Sequence, residues 1–197
     1  MKYKLPLALA FAMLLIVALP SCKKLIGLEK KKLTKQLTEV EYKWSNVENQ
    51  YYRCIDIYKN IASSVIKIAE NERATSNAEI IKSMQAIKHS VDSLKSVKID
   101  PNDKAALNQY LHTHNRLREQ MNSAISLAKE TLPNLKGDEN FQSLLLEMEG
   151  SINRIAVASH DYNIVVKEYN NTLQEYDKER AANSGFKEWY YIPERTF

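Results

Sequence analysis

His112 and His114 stand two residues apart, a spacing that would let two rings share a metal ion on an extended strand. On a helix, residues two apart do not face one another, so the pair reads as two separate histidines. A carboxylate-bridged di-metal bundle needs a Glu three residues ahead of a His on facing helices, and none of His89, His112, His114 and His160 has one. There is no glycine-rich phosphate loop and no Gly-x-Ser-x-Gly turn to present a nucleophile. The sequence therefore shows no carrier for catalysis. No enzyme activity, cofactor or metal is expected.

The two cysteines have different settings. Cys22 closes the tetrad Leu19-Pro20-Ser21-Cys22 after two lysines, Lys2 and Lys4, and an apolar run from Leu5 to Leu19. That run is short of the ~20 residues that a spanning helix needs, so residues 1–21 read as a cleaved export signal. With Leu at −3, Ser at −1 and Cys at +1, the tetrad resembles a bacterial lipobox. The resemblance implies lipidation of the Cys22 thiol, cleavage before it and acylation of the new amino group. Two or three acyl chains at ~0.8 kcal/mol per buried CH₂ hold a protein stably on a membrane. An ordinary signal peptide with a chance cysteine and an uncleaved membrane helix are the alternatives. Lys23 rather than Asp follows Cys22, which resembles a lipoprotein free to reach an outer membrane. Cys54 then has no partner in its own chain for a disulfide, and its place on an apolar helical stripe makes it a small core residue.

Processing also changes the charge. The formal +4 includes Lys2 and Lys4, and residues 1–21 hold no acid, so the mature chain carries about +2. That balance argues against nucleic acid as a partner. Lys23, Lys24, Lys30, Lys31, Lys32 and Lys35 crowd residues 22–32 and just beyond. This basic tether is either a contact with anionic lipid, at up to ~1 kcal/mol per cation, or a solvated helix start.

Four glycines and five prolines in 197 residues leave few turns, and the apolar periodicity is helical throughout. In the first long helix Leu33, Leu37, Val40, Trp44, Val47, Tyr51, Cys54, Tyr58, Ile61, Val65 and Ile68 step by four and three. That repeat averages 3.5 residues and makes one seam for coiled-coil-like, left-handed packing. Ser76-x-x-Glu79 can cap a second helix with Ile80, Met84, Ile87, Val91, Leu94 and Val97 inward. It should stop at Asp100-Pro101, where proline displaces its predecessor from helical dihedrals and starts a third helix.

The third helix runs to about Glu130 with Leu107, Leu111, His114, Leu117, Met121, Ala124 and Ala128 inward. Thr131 to Gly137 breaks it, and Asp138 caps a fourth that extends to about Arg180. The fourth seam is Phe141, Leu145, Met148, Ile152, Ile155, Ser159, Tyr162, Val166, Tyr169, Leu173 and Tyr176. The expected fold is all-α: an elongated antiparallel bundle of about four helices, the first and last longest. Residues 33–197 are expected to form a single domain. The aromatic tail after Gly185, from Phe186 to Pro193, is expected to pack back on the bundle end.

Beyond the seams lies a spaced set of residues: Pro133, Leu135, Lys136, Glu139-Asn140-Phe141, Glu147, Glu149-Gly150, Asn153-Arg154-Ile155-Ala156, Tyr162-Asn163 and Tyr169-Asn170. Upstream stand Trp44-Ser45, Val47-Glu48, Arg53, Asp56, Asn60 and Glu72, and downstream Gly185-Phe186. In order and spacing this set resembles the LemA family of bacterial envelope proteins, over roughly Glu39 to Phe186. Departures occur at Cys54 and Ser159, where the family has Arg, at Lys59 and Asp177, where it has Pro, at Ile152, where it has Glu, and at Asn71, where it has His.

The resemblance implies an envelope protein, lipid-anchored here, facing the periplasm or the outside of the cytoplasmic membrane. Scaffolding or adaptor work for another envelope protein is the expected function. A periplasmic chaperone or ligand-binding bundle, with a groove between the second and third helices, is the alternative. Glu139, Asn140, Asn153, Arg154, Asn163 and Asn170 are the residues whose spacing packing alone does not require. They are the candidate partner-binding residues, with Cys22 the lipidation site. Each Tyr-Asn pair also has a structural reading, the Tyr filling the seam and the Asn fixing register. Arg154 and Glu147 are expected to meet first-helix groups such as Arg53 or Asp56, and the oligomeric state is open.

Overall fold

The computed structural model describes residues 6–72, 77–97 and 103–180, with side-chain surroundings for 30–72, 77–97, 103, 105–177. Four α-helices and one short 3-10 helix make up these residues: α1 Pro6–Glu72, α2 Ala78–Lys95, α3 Lys104–Thr131, the 3-10 turn Pro133–Gly137, and α4 Glu139–Arg180. The all-α expectation is met, with the first and last helices longest. Ser76, the Asp100-Pro101 stop and the aromatic tail lie outside the described residues, and Cys22 outside those with described side chains. Among the described residues, no helix is long and apolar enough to cross a membrane.

The chain divides into two compact units. One joins the α1 residues up to Tyr42 with α4 from Ile164. Leu33 and Val40 are buried in it, as are Val165, Val166, Tyr169, Leu173 and Tyr176. Burial raises the Tyr169 hydroxyl pKa, and the charge of Asp177 adds to that rise.

The other unit holds α1 from Lys43, all of α2 and α3, the 3-10 turn, and α4 up to Asn163. Lys59 pairs with Asp92 at 2.5 Å and Lys95 with Asp56 at 2.6 Å, so α1 and α2 run antiparallel. On the α4 side Lys43 pairs with Asp161 at 2.8 Å, while Asn140 lies against Ser64. That register makes α1 and α4 antiparallel too. The result is an up-down-up-down bundle built on the heptad seams.

The seams are occupied as the periodicity requires. On α1 all eleven seam positions are buried except Leu37 and Ile68, which are half-buried. Leu107, Leu111, His114, Leu117, Met121, Ala124 and Ala128 are all buried on α3. On α4 Leu145 and Ile152 are only half-buried, while Ser151, Ala158 and Val165, one position round, are buried. Val97 is the seam position that fails, at 43% exposed.

That failure follows from where α2 ends. The helix stops at Lys95, and the Ser96 and Val97 N–H groups donate back to the Asp92 and Leu94 carbonyls at 3.3 and 3.2 Å. α3 starts at Lys104, later than Pro101, because the Asp103 carboxylate accepts the Ala106 N–H at 2.9 Å and fixes the first turn. At the start of α2, Asn77 is buried and sends its Nδ2 to the Ala69 carbonyl of α1 at 2.9 Å, so its side chain ties two helices together. Asp138 caps α4 as expected, accepting the Phe141 N–H at 2.7 Å.

Candidate functional site

A concavity with polar side chains on both walls lies between α1 and the first turns of α4. It is a groove of about 700 Å³ lined by Asn60, Ser63, Ser64, Lys67, Ile68 and Asn71 of α1 with Asp138, Asn140 and Leu144 opposite. Asn60, Ser64, Lys67 and Asn71 recur at helical spacing, so they form one face about 16 Å long at 1.5 Å per residue. Asn140 donates from Nδ2 to the Ser64 hydroxyl across the groove at 3.4 Å, a long and weak bond. The Asp138 carboxylate is engaged in capping α4. Lys67 makes no ion pair among the described residues, and together with Asp138, which keeps its charge while capping, it gives the lining one cation and one anion.

The upper rim is tied to the 3-10 turn. Glu72 accepts the Asn134 N–H at 3.3 Å, so the last residue of α1 holds the connection that delivers Asp138 and Asn140.

The structure spreads the remaining candidate residues along α4. Glu139 is exposed beside Asn140, and Asn153 is exposed on an outer face between Leu146 and Val157, which are 70% and 63% exposed. Arg154 is half-buried and folds back over Gly150, where an added Cβ would lie 3.3 Å from the guanidinium. Asn163 is half-buried about 35 Å along the helix from Asn140, and Asn170, also half-buried, belongs to the other compact unit. Asn140 is thus the candidate that lines the groove. Asp56 is taken by Lys95 of α2 rather than by α4, and Arg53 and Glu147 are exposed.

Of the α1 wall, the sequence pattern marks Asn60 and, as a departure from the family's His, Asn71, while Ser64 and Lys67 carry no family signal. Their helical spacing opposite a capped helix start was the signal available.

A second feature is buried. Tyr51, Cys54 and Tyr58 of α1 face Tyr110 and His114 of α3, all nearly inaccessible. The His114 ring meets Tyr51 edge-on at 4.8 Å and stacks on Tyr58 at 6.0 Å, while Tyr51 meets Tyr110 at 5.8 Å. Burial lowers the His114 pKa to about 4, helped by the positive charge of Arg118. Burial also raises Tyr51 to about 12, Tyr58 and Tyr110 further, and the Cys54 thiol above its ordinary value. The Tyr58 and Ser151 hydroxyls beside Cys54, and the charges of Arg118 and Arg154, oppose that last rise. These groups are held in their neutral forms, which suits packing. Among the described residues no cluster of His, Cys, Asp and Glu is arranged to hold a metal ion.

Between α2 and α3 lies an open depression of about 480 Å³, with Ile87, Ala124 and Leu127 among small and polar side chains such as Ser83, Ser90 and Ser123.

A model of the LemA family matches residues 43–193, most of the chain and all of the second compact unit's helices. The chain belongs to the LemA family. No curated protein is similar enough to it to count as a match. Of the residues that carried the resemblance in this LemA-family protein, Trp44, Tyr162, Phe141 and Ile155 are buried, Asn60 and Asn140 line opposite walls of the groove, and Arg53, Glu147, Glu149 and Asn153 are exposed elsewhere.

Proposed function

We propose that this LemA-family protein is a lipid-anchored, non-catalytic adaptor of the cell envelope that uses the groove between α1 and α4 to hold another envelope protein. The observation that carries the reading is the groove itself. It is lined by amides, hydroxyls, one lysine and one aspartate beside apolar Ile68 and Leu144, with Asn60 and Asn140 on opposite walls. Such a surface offers directional hydrogen bonds rather than a reactive group, which suits recognition. The exposed apolar stripe of Leu146 and Val157 around Asn153 lies on the other side of α4 from Leu144 and offers a separate surface to a partner.

Anchoring is proposed at Cys22, with residues 1–21 removed, residues 22–32 as the basic tether and the domain facing away from the cytoplasm. Metabolic labelling with an alkyne fatty acid tests it: the label is expected on the wild-type chain and lost in Cys22→Ala. Equal labelling of both would remove the lipid anchor. In-cell crosslinking from the groove followed by pull-down tests the adaptor role, and recovery of this chain alone would count against it.

The depression between α2 and α3 favours one other reading, a chaperone or ligand-binding bundle that holds an apolar segment there. It predicts binding of an environment-sensitive apolar dye, lost in Leu127→Glu, and suppression of client aggregation. Failure of both would eliminate it.

A further inference from the structure

We infer that the lysine-rich start of α1 rests on an anionic lipid surface, which builds on the lipid-anchor reading and names the headgroup chemistry beside the anchored residue. Lys23, Lys24, Lys30, Lys31, Lys32 and Lys35 follow Cys22 within thirteen residues, with Glu29 the single acid among them, a local balance of +5. Residues 36–197 sum to −3, spread over the rest of the chain. The start of α1 is therefore the part that a negative surface attracts.

Helical spacing gathers these charges on one side. At about 100° per residue, positions 24, 31 and 35 fall within about 40° of one another, and 23, 30 and 32 flank them within an arc of about 200°. Leu33, fully buried, stands diametrically opposite the 24–31–35 row. Lys30, Lys31, Lys32 and Lys35 are all exposed, and none makes an ion pair among the described residues. The Thr34 hydroxyl between them donates to the Lys30 carbonyl at 2.9 Å. Lys31 and Lys35 are like charges four residues apart, which repel on a helix, and anionic headgroups relieve that repulsion. An upright helix would place Lys35 about 20 Å above Cys22, beyond the ~8 Å over which a charged surface is felt at physiological salt. The attraction therefore inclines the start of α1 until the 24–31–35 row meets the headgroups, each lysine near the surface strengthening the contact roughly fivefold.

The test reconstitutes the full-length chain, with a genetically encoded fluorescent amino acid in place of Thr34, into vesicles of phosphatidylcholine alone or mixed with phosphatidylglycerol. Quenching by a headgroup-linked quencher is read in each. It is expected to be roughly twofold or more stronger in the anionic vesicles, and high salt should erase the difference. Replacing Lys30, Lys31, Lys32 and Lys35 together by Gln should remove the difference. Replacing them by Glu should invert it, leaving the probe less quenched in anionic than in neutral vesicles. Circular dichroism should show both variants folded, since the four positions are exposed and Gln and Glu suit a helix. Equal quenching of the wild-type chain in both vesicles, or a difference that survives the Gln substitutions, overturns the inference. Fatty-acid labelling at Cys22 judges the anchor separately. Labelled protein whose probe ignores lipid charge sinks the lysine contact and leaves the anchor standing, whereas charge-dependent quenching without any label sinks the anchor alone.

Discussion

The His114 ring of α3 stands edge-on to Tyr51 of α1, centroids 4.8 Å apart and planes at 89°, inside a layer that leaves His114 only 3% exposed. An imidazolium cannot be solvated there, and Arg118 adds repulsion, so the folded-state pKa falls to about 4. The unfolded chain binds this proton near pH 6.5 and the folded chain does not. Stability is therefore full above about pH 6.5 and falls as pH drops toward 4. The slope is about 1.4 kcal/mol per unit at its steepest, on the order of 3 kcal/mol in all. Urea melts across pH 7 to 4 should show this slope in the wild type and lose it in His114→Leu; an unchanged slope would place the proton elsewhere.

Asp138 ties the end of the 3-10 turn to α4 through the Phe141 N–H at 2.7 Å. Asp138→Ala should destabilise by about 1 kcal/mol and Asp138→Asn by less, because an Asn oxygen caps nearly as well. Equal losses in both variants would mean that the carboxylate does something other than cap.

Met121 is fully buried on α3 and Leu146 is 70% exposed on α4. Met121→Ala should cost about 2 to 5 kcal/mol through lost burial and the cavity left behind. Leu146→Ala should stay within about 0.5 kcal/mol while reducing recovery of a partner in cells. A large stability loss at Leu146 would show that its face is packed.

Cys54 is buried on the α1 seam, and burial raises its thiol pKa. With Cys22 replaced, a thiol reagent should react with the native chain far more slowly than with the denatured one. Rapid native reaction would contradict a purely packing role.

These residues also show what the sequence made legible. Seam positions from Val40 to Val65 on α1 and from Phe141 to Tyr176 on α4 follow a 3.5-residue repeat, because burial on one face imposes that period on side-chain polarity. The Asp138 cap was readable for a similar reason, being local. The Lys59 to Asp92 and Lys95 to Asp56 pairs were not, since they depend on the register between helices far apart in sequence. The groove is non-local too: Asn60, Lys67 and Asn71 look like an ordinary wet face until Asn140 is brought opposite them. The Asp103 cap of α3 is local as well, its carboxylate accepting the Ala106 N–H three residues on.

The α1/α4 groove is proposed to hold a partner in the cell envelope. A photoreactive amino acid at Lys67, compared in living cells with the same group at Lys82 on the exposed face of α2, tests it most directly. One discrete adduct is expected from position 67, absent from position 82, reduced by Asn71→Ala and recovered reciprocally when the crosslinker is placed in the captured protein. The same adducts from both positions, or only cross-linked copies of this chain, would contradict it.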